Sequence, residues 1–126
     1  MFKDSLFSIL SEEKSDSQAT LRIRLNANHP IYTGHFPGDA ITPGVCIVQI
    51  AVDLFSHLQG NDYRLVAAKN VKFINIIKPN EYPEVNYQLN WDKNEAGDYT
   101  LKGVVAYEDK TFTKISVTVK IQDPTI

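Results

Sequence analysis

Residues with chemical potential gather between positions 34 and 57. Gly34-His35-Phe36-Pro37-Gly38 places an imidazole in a loop whose glycines and proline restrict its backbone. Imidazole ionises near neutral pH, so it can hold or release a proton there. Four residues later, Pro43-Gly44-Val45 opens a long apolar run. The first N–H groups of a helix lack internal partners, and together with the helix dipole they can stabilise negative charge on a carbonyl oxygen. A fixed histidine beside such donors suits proton abstraction next to a polarised carbonyl. Gln49, Asp53 and His57 follow at a spacing of four, which places them on one helix face. At that spacing they read as a solvated or subunit-facing stripe.

The remaining candidates are plainer. His29 precedes Pro30 on the way into the loop, and Cys46 sits inside the apolar run as a small core residue. Three dispersed histidines and one cysteine do not suggest a metal site, and no cofactor is expected.

The elements that must carry these groups follow from periodicity. Phe2, Leu6, Phe7, Ile9 and Leu10 fit a short helix within residues 1–10, and 11–17 reads as a polar surface connection. Leu21, Ile23 and Leu25 alternate with Thr20, Arg22 and Arg24, the mark of a half-buried strand. Residues 26–42 lack periodicity and form a long loop, which in a compact domain is usually functional. Residues 44–59 are apolar on nearly every side, which predicts a buried central helix, and Gly60 supplies its left-handed cap. About four strands follow: 64–77, 84–91, 99–107 and 111–121. Short turns between them predict an antiparallel meander. The expectation is a single α+β domain over 1–126, one long sheet wrapped around one helix, with open edges that favour pairing with a second copy.

Composition narrows the function classes. The chain has 126 residues, 43% hydrophobic and 22% charged, with net charge −2 and scattered cations, so no nucleic-acid footprint is visible. No apolar stretch reaches the roughly 18–20 residues of a membrane span, and no signal peptide is apparent. A soluble, cytoplasmic protein is expected, and the single cysteine is compatible with that compartment.

The histidine loop, its separation from Pro43-Gly44-Val45, and Asn70-Val71-Lys72-Phe73 followed by Pro79 resemble the β-hydroxyacyl-[acyl-carrier-protein] dehydratases of the hotdog fold. The likeness spans about residues 19–121. It implies a homodimer, or a trimer of such dimers, acting on β-hydroxyacyl thioesters of acyl carrier protein or coenzyme A in fatty-acid-type biosynthesis. His35 matches the family's loop base, and Gly44 its backbone donor to the thioester carbonyl. Phe36, Pro43 and Val45 fall where the acyl substrate would be bound. Counting from Pro43, the carboxylate that the family places on the partner's central helix falls on Gln49. An amide forms hydrogen bonds but cannot exchange a proton at useful pH. Two alternatives therefore stand beside the dehydratase: a non-catalytic acyl-thioester-binding hotdog subunit, and a hotdog thioesterase.

Overall fold

The computed structural model describes residues 2–34 and 39–122. Its elements are β1 (Phe7–Lys14), β2 (Gln18–Leu25), a 3-10 turn (Pro30–Tyr32), α1 (Gly44–Gln59), β3 (Tyr63–Phe73), β4 (Glu84–Lys93), β5 (Tyr99–Tyr107) and β6 (Lys110–Ile121). All strands pair antiparallel in one sheet of order β1-β2-β4-β5-β6-β3.

The period-two strands behave as their patterns dictate. Leu21 and Ile23 of β2, Val85, Tyr87 and Leu89 of β4, Leu101 and Val105 of β5, and Val117 and Val119 of β6 are buried, while their neighbours point outward. Against this face lies α1, with Ile50, Ala51, Val52, Leu54 and Phe55 almost fully buried. Phe55 meets the rings of Tyr63, Trp91 and Tyr99 edge-on at centroid distances of 4.8, 5.4 and 5.2 Å. Such pairs add to the burial of their area. Tyr87 donates its hydroxyl to Ile47 O at 2.9 Å, which seats the helix on the middle of the sheet. The helix starts after Pro43, whose φ of −60° and ψ of 142° are extended, and ends at Gly60 in the left-handed region at φ 73°.

Three expectations change. The helix expected within residues 1–10 does not form: Asp4 takes φ 64°, residues 4–6 turn, and Phe7 begins β1. The same apolar residues can satisfy a strand, and pairing with β2 supplies the backbone partners that a marginal helix would have to find alone. Ser11–Lys14, read as a surface connection, continues that strand, so only residues 15–17 turn. The meander holds for β4, β5 and β6, but β3 stops at Phe73 and lies beyond β6 at the sheet edge instead of beside β4.

That edge is distinctive. Leu65, Val66 and Phe73 of β3 are exposed, and so are Ile74 and Ile76 just after it and Val45 at the start of α1. The opposite edge, β1, carries Glu12, Glu13 and Lys14 on its exposed half, the charged guard that discourages strand addition. Among the described residues no helix is long and apolar enough to cross a membrane.

Candidate active site

The loop that leads to α1 is fastened at both ends. Tyr32 and Thr42 share a buried hydroxyl–hydroxyl hydrogen bond of 2.8 Å, and Thr42 N donates to Ile77 O at 2.9 Å. Burial pushes the Tyr32 phenol above its ordinary range, so at neutral pH it remains a hydroxyl that can serve this clamp. Ahead of it, His29 Nδ1 accepts from Ile31 N at 3.0 Å and caps the 3-10 turn. Through Nδ1, His29 is tied to the local turn. Between the fastened ends lies Gly34, at φ 95°, a backbone state that L side chains rarely adopt. His35 and Phe36, the expected base and one expected substrate contact, fall outside the described residues.

At the other end of the loop, the helix start is exposed to chemistry. Cys46 and Ile47 donate back to Pro43 O at 3.0 and 3.1 Å. Gly44 and Val45 stand in the first turn, where no intrahelical acceptor exists, and Pro43 offers no side-chain cap. This is the donor geometry that a developing oxyanion needs. The Phe73 ring lies directly on it. A Cβ at Gly44 would stand 2.6 Å from Phe73 Cζ, so only glycine leaves room for the ring there. Val45 is 75% exposed, a wide apolar surface that a folded monomer leaves open.

Gln49 sits five residues after Gly44, about 7–8 Å along the helix axis. It is half-buried, and its Nε2 donates to Asp53 Oδ1 at 2.8 Å. Asp53 Oδ2 accepts from Phe2 N, also at 2.8 Å. Of the stripe expected to be solvated or subunit-facing, only part is solvated. His57 is exposed and pairs with Glu12 Oε1 at 2.7 Å, but Asp53 is 3% exposed. The N-terminal turn covers it, and two hydrogen bonds replace the water it gives up. Cys46 is buried, as expected of a core residue, and burial raises its thiol pKa. Among the described residues no group of three or more His, Cys, Asp or Glu side chains could hold a metal ion.

The structure therefore brings together Pro43, Gly44, Val45 and Gln49 on one end of one helix. It adds two residues that sequence reasoning had not placed at the site. Asp53 was within reach, because an amide and a carboxylate four apart on a helix are a recognisable pair. Phe73 gave no such signal, since strand alternation says nothing of which helix end a ring will cover.

Comparison with known proteins points the same way. The family model of ApeI-like proteins, described as ApeI dehydratase, matches residues 11–115. The 3-hydroxyacyl-[acyl-carrier-protein] dehydratase FabZ of Fusobacterium nucleatum is 27% identical over 120 residues, covering 91% of this chain and 84% of its own. Among solved structures, the dehydratase heterocomplex ApeI:P from Xenorhabdus doucetiae superposes with a TM-score of 0.67 at 18% identity, over 88% of this chain and 95% of that one. A thioesterase from Pseudomonas aeruginosa gives 0.58 at 13% identity, over 91% and 80%. At such identities the structures speak for the fold alone, which is the hotdog. The helix start, the spacing that leads to it and the matched span together make this chain a member of the ApeI-like dehydratase family.

Proposed function

We propose that the chain is a 3-hydroxyacyl thioester dehydratase, working in the cytoplasm on β-hydroxyacyl chains carried by acyl carrier protein or coenzyme A. The observation that carries this reading is the uncapped start of α1 at Gly44 and Val45, with Gln49 on the same helix, in a member of a dehydratase family. The Gly44 N–H polarises the thioester carbonyl. His35 removes a proton from the carbon next to it, and the electron pair is held as an enolate-like oxygen at the helix start. The pair then forms the carbon–carbon double bond as the β C–O bond breaks. The hydroxyl leaves as water with the proton that His35 took, which restores the base. Phe36, Pro43 and Val45 contact the acyl chain.

The site is completed by a second copy, whose Gln49 faces the reacting hydroxyl. Support for that copy comes from the exposed apolar edge at Leu65, Val66, Phe73, Ile74 and Ile76, which a paired β3 would cover. In this reading such dimers can assemble further into a trimer of dimers. The test is turnover of a carrier- or coenzyme A-linked 3-hydroxyacyl substrate, followed by formation of the conjugated enoyl thioester. His35→Ala is expected to abolish it; equal rates from wild type and variant would sink the enzymatic reading.

A second reading rests on Gln49 itself. An amide at the acid position fits a subunit that binds acyl thioesters without turnover, or one that works beside a hotdog chain bearing a carboxyl there. The heterocomplex among its structural neighbours motivates this. Tight acyl-carrier binding without product, or activity that appears only on mixing with such a chain, favours it. Release of free thiol would instead indicate thioester hydrolysis.

A further inference from the structure

The amide at the acid position has a polarity. Gln49 Nε2 donates to Asp53 Oδ1 at 2.8 Å, one helical turn on. Asp53 Oδ2 is taken by Phe2 N, also at 2.8 Å, and the Phe2 ring stands edge-on to His29 at 6.0 Å. A carboxylate accepts hydrogen bonds and donates none. Whichever way Asp53 turns, its neighbour must therefore offer N–H and not oxygen. With Asp53 as a whole only 3% exposed, water is poorly placed to stand in for either donor.

We propose that Asp53 is a positioning residue that fixes the orientation of the Gln49 amide, so that Oε1, a hydrogen-bond acceptor, is the end presented to substrate. The inference rests on the dehydratase reading for the identity of that substrate, a β-hydroxyacyl thioester. Oε1 accepts the hydrogen of the β-hydroxyl. The hydroxyl oxygen then has its lone pairs left for the proton that carries it away as water. Gln49 thus orients the leaving group and supplies no proton, and Asp53 acts only through Gln49.

Asp53→Asn tests this. The introduced amide can keep its carbonyl toward Phe2 N, which turns its NH2 toward Gln49. Gln49 must then reverse, with Oε1 accepting from the new amide and Nε2 facing substrate. The expected result is a kcat lower by about tenfold, the scale of one neutral hydrogen bond, with KM within about twofold. In a Gln49→Ala background the same substitution is expected to leave kcat unchanged. A kcat loss equal in both backgrounds would mean that Asp53 only supports the fold, and would overturn the inference.

A second measurement needs neither turnover nor a variant that folds. In the wild-type protein the Gln49 side-chain NH2 hydrogens, followed by NMR, are expected to exchange markedly more slowly than those of the exposed Gln18 and Gln88. Equal exchange would overturn the positioning role. Slow exchange without any turnover would support it and count against the dehydratase reading instead.

Discussion

Restoring a carboxyl at the acid position is the most informative perturbation, because the structure places a buried carboxylate beside it. In Gln49→Glu the introduced carboxyl replaces a donor that reaches Asp53 Oδ1 at 2.8 Å. Two unit charges 4 Å apart at an effective dielectric of 20 repel by about 4 kcal/mol. Repulsion of that size prevents both groups from ionising together near neutral pH, so the folded pair retains one proton that the unfolded chain gives up. The folded pair's second ionisation is therefore raised. Its stability contribution is intact below the ordinary carboxylate range and is lost as pH rises through that range toward the raised folded value. Relative to wild type, Gln49→Glu is expected to be nearly as stable at about pH 4 and less stable by up to about 4 kcal/mol at about pH 8. Urea denaturation at the two pH values measures the difference. The retained proton also gives the site a general acid, and such assistance contributes roughly two to four orders of magnitude. Turnover is expected to exceed wild type below neutral pH, with the gain shrinking toward pH 8 and above. A stability gap that is the same at both pH values would refute the reasoning, since it would mean that position 49 does not lie against Asp53.

Two further outcomes follow from the same geometry. Gly44→Ala sets a methyl group into the Phe73 ring, 2.6 Å from Cζ, but that residue is 53% exposed and its ring can swing outward. Folding is expected to change by less than about 1 kcal/mol, since alanine is the better helix former, while kcat/KM falls about a hundredfold as the methyl group obstructs the helix start. A denaturation curve and a rate measured on one sample separate these effects, and unchanged turnover would remove the helix start from the mechanism. Cys46 is 7% exposed with a raised thiol pKa, so alkylation at about pH 8 is expected to be slow in the fold and fast in urea. Rapid labelling of the native protein would show that the first half of α1 opens readily.

Local signals carried much of the fold. Proline and glycine at 43–44 and glycine at 60 punctuate an apolar run, and the helix occupies Gly44–Gln59 between them. Alternation identified β2, β4, β5 and β6, because a strand with one buried face must repeat every two residues. The N-terminal segment failed on the same logic: Phe2, Leu6, Phe7, Ile9 and Leu10 suit either period. The pairing of β1 with β2 decided the outcome.

Residue identity and short spacing along one helix and its preceding loop determined where the sequence puts a candidate site, and the family resemblance assigns Gln49 to the position where a carboxylate is expected. Only the tertiary structure decided what surrounds that group. Asp53 reads as part of a solvated or subunit-facing stripe until Phe2, 51 residues away, donates its backbone N–H and the N-terminal turn closes over it. Phe73 reads as one more strand residue until β3 is carried past β6, beside the helix start. Neither fact has a local cause. Each depends on contacts between distant parts of the chain, and such contacts give the amide at position 49 its orientation.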